Sequence, residues 1–147
     1  MVKIRKAHSD DLDRVAEITK DSFPDIWTKL YFEKLYRQYS ETFFVAEINR
    51  EVVGYVLGYL KSEKLGWVKA VAVSPDFRGQ GIGNEMINFI THRLGEMGAE
   101  NIGLRIRISN QASISFYRKL GFKIAGTDKS YFPNGEDAYI LEKKLGG

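Results

Sequence analysis

The spacing of hydrophobic residues divides this chain into short strand-like and helix-like segments. Where apolar residues alternate with polar ones or form a short apolar run, we predict a strand, and where they recur every three or four positions, a helix. The predicted strands are Val2–Lys6, Thr42–Ile48, Glu51–Lys61, Trp67–Val73, Asn101–Ile108, Phe122–Thr127 and Ala138–Leu145. The predicted helices are a segment that starts at Ser9, about Thr28–Tyr39, Ile82–Met97 and Asn110–Leu120.

The order of these elements determines the predicted fold class. In the order βααβββαβαββ the helices interrupt a run of strands, which is typical of an α/β (α+β) protein with helices on both faces of a sheet. We expect a mixed, mostly antiparallel central sheet of about seven strands. With 147 residues and no repeat, linker or low-complexity segment, the chain is predicted to form a single domain over residues 1–147.

Composition and charge exclude several classes of site. The chain has no cysteine, which excludes disulfides, thiolate zinc sites and a covalent cysteine intermediate. His8 and His92 stand alone without the spacing of metal ligands, so we expect no metal. The net charge of +3 suits an anionic cofactor, but the sequence has no clustered basic run, so we expect no nucleic acid partner.

No segment of the sequence is typical of secretion or membrane insertion. The first six residues lack the apolar core of a signal peptide. The most apolar stretch, Val52–Leu60, is far shorter than the roughly 20 residues that cross a bilayer. We therefore expect a cytoplasmic protein with no membrane partner.

A glycine-rich turn joins the fourth predicted strand to the third predicted helix. Ser74-Pro75-Asp76 stops the apolar run that ends at Val73, and glycines follow at 79, 81 and 83. Because glycine lets the backbone approach a ligand and a helix N-terminus attracts anions, this order suits a phosphate. The Walker pattern lacks its Lys-Ser or Lys-Thr, and the dinucleotide pattern has Met86 in place of its third glycine. A plain strand-to-helix turn remains the alternative.

The fourth predicted helix carries a second constellation. Ala112, Phe116 and Leu120 recur every four residues and are expected to face the core. Asn110 has the chemistry of an N-cap, and Tyr117 lies close to two helical turns further on, on another stripe of the helix. Taken alone, Tyr117 is typical of an amphipathic surface tyrosine.

Together these segments resemble the GNAT N-acetyltransferase superfamily. The R-x-x-G-x-G of Arg78, Gly81 and Gly83 is similar to its acetyl-CoA pyrophosphate loop. Its signature after the fifth strand, N-x-x-[AS]-x-x-F-Y-x-x-x-G-F, is complete here from Asn110 to Phe122, and the order of elements matches over the whole chain. The resemblance implies the GNAT (acyl-CoA N-acyltransferase) fold and an enzyme that moves an acetyl group from acetyl-CoA to a primary amine.

The resemblance also implies a role for each part of the two patterns. Tyr117 would lie beside the thioester sulfur and protonate the leaving thiolate, and Asn110 would bind the pantetheine or phosphate region. Backbone N–H groups at Val71 and Val73 would bind the thioester carbonyl oxygen and the pantetheine. The implied pyrophosphate loop consists of Arg78, Gly79, Gln80, Gly81, Ile82 and Gly83.

Two aromatic segments resemble the protein N-terminal acetyltransferase branch, to which the ribosomal-protein alanine acetyltransferases are similar. Phe23-Pro24 and Trp27 resemble its turn between the first two helices, and the stretch from Tyr131 to Tyr139 resembles its Y-[YF]-x-x-G-E-D-A loop. The resemblance implies that these two segments flank the slot for the acceptor's amino terminus. A hydrophobic staple and an ordinary hairpin are the alternatives.

One position departs from that branch. The alanine acetyltransferases carry a Glu in the fifth strand, in L-E-V-R, whereas this chain has Leu104-Arg105-Ile106-Arg107. A guanidinium stays protonated and cannot act as a base, but it pairs well with a carboxylate. The resemblance places position 105 towards the acceptor, so we expect Arg105 to contact the acceptor and to favour an acidic or polar residue near its start. The alternative is that Arg105 bends away to solvent or pairs with a structural Glu such as Glu47.

The combined prediction is an acetyl-CoA-dependent N-acetyltransferase that acts on the N-terminal α-amine of a protein or peptide. Two alternatives stay open: a small-molecule N-acetyltransferase acting on a polyamine or amino acid, and a non-catalytic acyl-CoA-binding module. The sequence leaves the acceptor and the oligomeric state open, with a homodimer as one arrangement.

Overall fold

The computed structural model describes the helices and strands of residues 1–22 and 29–146. The helices in these ranges are α1 (Leu12–Ser22), α2 (Lys29–Tyr39), α3 (Ile82–Glu96) and α4 (Gln111–Lys119). The strands are β1 (Lys3–Lys6), β2 (Phe43–Ile48), β3 (Glu51–Leu60), β4 (Leu65–Val73), β5 (Asn101–Arg107), β6 (Lys123–Asp128) and β7 (Ala138–Lys144). They follow the predicted order, and their bounds lie close to the predicted ones.

The strands form a 7-stranded sheet in the order β1-β2-β3-β4-β5-β7-β6. The pairs β1–β2, β2–β3, β5–β7 and β6–β7 are antiparallel, and β4–β5 is parallel. The predicted mixed, mostly antiparallel sheet is therefore confirmed. The chain divides into two compact units, Met1–Tyr59 with Val68–Arg93 and Leu60–Trp67 with Leu94–Gly147. The single domain over residues 1–147 stays a prediction.

The core of the first unit is built from α1, α2 and strands β2 to β4. The ring centroid of Phe32 lies 5.5 Å from that of Tyr55 and 6.4 Å from that of Phe43. The Thr19 hydroxyl donates to the carbonyl oxygen of Val15 at 2.8 Å and lies 2.7 Å from the Tyr55 hydroxyl. Because buried polar groups destabilise a core unless they are hydrogen-bonded, this pair links α1 to β3 at little cost.

The turn between β2 and β3 has two central residues, as the gap between the predicted strands Thr42–Ile48 and Glu51–Lys61 implies. Asn49 and Arg50 have φ values of 49° and 67°. Positive φ at both central residues is the geometry of a type I′ turn, whose twist matches that of the two strands it joins.

In the second unit, two glycines allow the close pairing of β4 with β5. Leu65–Trp67 pair in parallel with Asn101–Gly103. A Cβ on Gly103 would lie 2.6 Å from Cζ3 of Trp67, and one on Gly66 would lie 2.6 Å from Cδ1 of Ile102. No real Cβ atom tolerates such a distance, so the glycines make room for these two large side chains.

The buried face of α4 differs from the predicted one. Ile114 and Tyr117 are buried, at 5% and 6% exposure. The residues predicted to face the core are exposed or half-buried instead: Ala112, Phe116 and Leu120. That prediction is wrong, because burial follows the i, i+3 spacing of Ile114 and Tyr117 and continues to Phe122, whose ring contacts Tyr117 at 5.5 Å.

Candidate active site

The glycine loop has a backbone conformation that only glycine adopts without strain. It leaves β4 through a 3₁₀ turn at Pro75–Phe77 and enters α3 at Ile82. Gly79 and Gly81 have φ values of 80° and 83°. A Cβ on either glycine would meet no atom within 4 Å. The backbone conformation, and not crowding, therefore requires glycine here, and space above the loop is open to a ligand.

The first turn of α3 supplies backbone donors next to this loop. The Glu85 amide donates to the Gly81 carbonyl at 3.0 Å, which is the first bond of the helix. The amides of Ile82, Gly83 and Asn84 therefore have no partner inside the helix and mark the positive end of its dipole. Ile82 itself is buried at 3% exposure, so its side chain packs inside and does not face the open space above the loop. Such a helix start fits the pyrophosphate group of a coenzyme.

Two arginines hold the start of the loop. Nε of Arg78 donates to the carbonyl oxygen of Val73, the last residue of β4, at 3.0 Å. Nε of Arg14 donates to the Val52 carbonyl at 3.0 Å, and its Nη2 lies 3.4 Å from Oγ of the buried Ser74. Sequence reasoning missed Arg14, because no local pattern relates it to a residue in the loop.

Tyr117 has a buried ring and a hydroxyl that no described residue binds. The ring makes edge-to-face contacts with Phe116 and Phe122, at 5.0 Å and 5.5 Å between centroids. Tyr117 is only 6% exposed as a whole residue, and no hydrogen bond joins its hydroxyl to any residue within 1–22 and 29–146. Burial raises the pKa of Tyr117 well above its usual value, so the group keeps its proton through the neutral range.

Asn110 has the predicted position at the N-terminus of α4. Its side-chain oxygen accepts a hydrogen bond from the Ser113 amide at 3.1 Å, which confirms the predicted N-cap. The cap fixes the start of the helix that carries Tyr117.

Arg105 lies in a cluster of aromatic and acidic side chains. Its Cζ is 4.9 Å from the ring centroid of Trp67 and 4.6 Å from that of Tyr131. Its Nε donates to Oδ2 of Asp128 at 2.7 Å. Pairing with Glu47 is not observed, since Glu47 accepts from Arg5 at 2.9 Å. The carboxylate partner that sequence reasoning missed is therefore Asp128 at the end of β6.

Arg107, two residues further along β5, makes a similar set of contacts. Its Nη1 lies 3.2 Å from Oε1 of Glu136 and 3.3 Å from Oδ1 of Asn134, and its Cζ lies 4.1 Å from the Phe132 ring centroid. Glu136 also accepts from the Ser109 amide at 2.9 Å. The hydrogen bonds from Ser109, together with Arg107, hold the pKa of Glu136 below its usual value.

The remaining predicted residues occupy β4, β7 and the loop before β7. Val71 and Val73 are half-buried in β4, Tyr131 is 45% exposed, and Tyr139 is half-buried in β7 opposite Ile106. Phe23 and Trp27 lie outside the described residues.

Two features are absent from residues 1–22 and 29–146. In these ranges no group of three or more His, Cys, Asp and Glu side chains is placed to hold a metal ion. No helix in the same ranges has the length and apolarity needed to cross a membrane.

Comparison with known proteins gives consistent matches. Residues 12–122 match the model of the Acetyltransferase (GNAT) family. An N-alpha-acetyltransferase of Sulfurisphaera tokodaii is 32% identical, over 97% of this chain and 93% of that protein. The crystal structure of Ard1 from Thermoplasma volcanium superposes with a TM-score of 0.94 at 25% identity, covering 99% of both chains.

A further solved structure has the same fold at lower identity. It is Naa20 of Chaetomium thermophilum in complex with a bisubstrate analogue, with a TM-score of 0.87 and 24% identity over 97% of this chain and 86% of that one. The family model covers most of the chain, from α1 to the residue before β6. This chain therefore belongs to the GNAT acetyltransferase family and is an N-acetyltransferase.

Proposed function

We propose that this enzyme transfers the acetyl group of acetyl-CoA to the N-terminal α-amine of a protein or peptide. Binding of the coenzyme is supported by the glycine loop, where Gly79 and Gly81 have positive φ beside the unpaired amides at the start of α3. The acceptor is supported by the N-alpha-acetyltransferase relative, which is similar over nearly the whole chain.

The coenzyme-binding residues are proposed from this loop and its neighbours. The main chain of Gly79, Gln80, Gly81, Ile82 and Gly83 binds the pyrophosphate. Arg78 stabilises the loop through the Val73 carbonyl. Asn110, at the N-terminus of α4, helps to bind the pantetheine or phosphate region of the coenzyme.

The chemistry is a direct transfer between two bound substrates, for which proximity supplies much of the acceleration. The amine nitrogen forms a bond to the thioester carbonyl carbon, and the carbon–sulfur bond breaks. A backbone N–H at Val71 or Val73 stabilises the negative charge on the carbonyl oxygen. The amine loses a proton to solvent, the leaving thiolate takes a proton from the hydroxyl of Tyr117, and Tyr117 regains its proton from solvent before the next turnover.

The acceptor-binding residues are proposed from the loop before β7 and its flanks; Phe23 and Trp27, which the sequence also indicates, lie outside the described residues. Tyr131 offers an aromatic surface there, since it is 45% exposed. Tyr139 lies at the other end of the loop, in β7. Arg105 cannot take the proton of the amine, because a guanidinium remains protonated at any pH where the enzyme functions.

A comparison of acceptors tests the proposal. The enzyme is incubated with acetyl-CoA and either a panel of short peptides with unblocked amino termini or a panel of polyamines and amino acids, and thiol release is followed. The proposal predicts that peptides give the higher kcat/KM. Spermidine used better than every peptide would support a small-molecule acetyltransferase, and absence of turnover with every amine would support a binding module.

A further inference from the structure

Arg105 is held by contacts on several sides. Its guanidinium touches the rings of Trp67 and Tyr131 and donates to Asp128. The side chains of Arg105 and Asp128 are only 24% and 36% exposed, so the ion pair is partly shielded from water. The three contacts fix the position of the side chain, and the Asp128 carboxylate offsets part of its charge.

Trp67 forms a rigid support for this cluster. It is 4% exposed and covers Gly103, where even a Cβ would come within 2.6 Å of the ring. Nζ of Lys61 lies 3.8 Å from its ring centroid. The indole therefore has little room to move, and Arg105 is placed against a fixed surface.

The loop that follows Asp128 is fastened to β5 at two places. Arg105 contacts Asp128 and Tyr131 at its start, and Arg107 contacts Phe132 and Glu136 nearer its end. Hydrogen bonds inside the loop complete the arrangement: the Phe132 amide donates to the Glu136 carbonyl, and the Ser130 amide donates to Oδ1 of the Asp137 side chain. The loop is thus ordered without help from a ligand.

We propose that Arg105 is a positioning residue, which acts with Asp128 to hold Tyr131 in the geometry that receives the acceptor peptide. This inference rests on the proposed function. Since Asp128 already neutralises the guanidinium, Arg105 does not select acidic acceptors. Preorganisation of the loop instead lowers the entropic cost of binding any peptide main chain.

The direct-contact hypothesis from the sequence and this positioning role differ in their predictions for two variants. If Arg105 bound an acidic acceptor, Asp128→Asn would release its charge and improve KM for peptides with an acidic start. If Arg105 positions Tyr131, Asp128→Asn and Arg105→Met both raise KM for acidic and neutral peptides alike. Arg105→Lys is expected to have a peptide KM close to that of Arg105→Met, because an ammonium lacks the planar guanidinium that stacks on aromatic rings.

The test measures kcat and both KM values for wild type, Arg105→Met, Arg105→Lys, Asp128→Asn and the double variant Arg105→Met/Asp128→Asn. We expect the peptide KM to rise about tenfold in each single variant, with kcat and the KM for acetyl-CoA unchanged. The double variant is expected to be no worse than the worse single variant, since both substitutions break the same contact. Arg50→Met, in the exposed β2–β3 turn, removes the same charge and should change none of these values.

Hydrogen exchange gives a second readout that does not require turnover. The Ser130 and Phe132 amides should exchange faster in Arg105→Met than in wild type or Arg50→Met. Unchanged exchange together with an unchanged peptide KM would overturn the positioning role, as would an Asp128→Asn enzyme that prefers acidic peptides. A wild-type enzyme that acetylates no peptide would overturn the proposed function instead, while the exchange result would still decide whether Arg105 orders the loop.

Discussion

At the residue scale, Tyr117 joins a buried ring to a hydroxyl that no described residue binds. The ring is fixed by Phe116 and Phe122, so removal of the hydroxyl leaves the packing intact. A packing residue would not need that hydroxyl, whereas a proton donor to a thiolate would.

The Tyr117→Phe variant tests whether Tyr117 is the general acid that protonates the leaving thiolate. We expect kcat to fall about 10²-fold, the usual scale of acid catalysis, with an unchanged melting temperature. Tyr55→Phe is the matched control, because it removes a buried hydroxyl that bonds Thr19; it should lose about 1 kcal/mol of stability and keep kcat. Wild-type kcat in Tyr117→Phe would mean that Tyr117 only packs or that solvent protonates the thiolate.

Burial of tyrosine side chains also makes the free energy of unfolding depend on pH in the alkaline range. It raises the pKa of both Tyr117 and Tyr55 in the folded protein. A raised pKa stabilises the fold below the unfolded-state pKa of about 10, and this contribution is lost as the pH rises above that value. The urea midpoint should therefore fall less between about pH 9 and pH 11 in Tyr117→Phe than in wild type. Equal falls in the two proteins would contradict the argument.

At the scale of the elements, the glycine loop and α3 are the part of the site that the sequence predicts best. Gly79, Gly81, the Pro75 stop and the helix start are local features, and local features determine local backbone. The N-cap at Asn110 and the turn at Asn49 are of the same kind. The prediction for the buried face of α4 failed because Ala112, Phe116 and Leu120, although spaced by four positions, do not form the side of the helix that packs against the core.

Contacts between distant segments could not be predicted. Asp128 is 23 residues from its partner Arg105, and Ser74 is 60 residues from Arg14. Such pairs depend on the order of strands in the sheet, where β7 lies between β5 and β6. Hydrophobic periodicity carries no information on that order, so Glu47 was an equally reasonable partner for Arg105 from sequence.

Gly81→Ala tests whether the loop binds the coenzyme through its backbone. At a φ of 83° a Cβ is strained, and it would enter the open space where the pyrophosphate is proposed to bind. We expect the Kd for CoA, measured by calorimetry, to rise at least about tenfold. Gly98→Ala, also at positive φ, controls for strain and should keep its CoA affinity. A folded Gly81→Ala protein with wild-type affinity would refute the assignment.

Gly103→Ala tests the fit of Trp67 on β5. The added Cβ would lie 2.6 Å from the indole, so we expect a loss of about 1–3 kcal/mol in the free energy of unfolding. Gly126→Ala, in β6, is the matched strand control, because its Cβ would have only an ordinary contact with Ile140 at 3.8 Å. Equal stabilities in chemical denaturation would show that β5 shifts to accommodate the methyl group.

At the scale of the whole molecule, the family membership and the order of strands in the sheet agree with the predicted fold. Within the family, the acceptor distinguishes the proposed function from its alternatives. The glycine loop belongs to the first compact unit, and Tyr117, Arg105 and the loop before β7 belong to the second. The homodimer and the cytoplasmic location stay predictions.

The central claim is that the acetyl group goes to an N-terminal α-amine. The most direct measurement is fragmentation mass spectrometry of a peptide that has an unblocked amino terminus and one internal lysine, after incubation with acetyl-CoA and the enzyme. The same peptide with a formylated amino terminus is the control. We predict one acetyl group, on the α-amine of the first peptide, and no reaction of the second. Acetylation of the lysine side chain, or of the formylated peptide, would contradict the account.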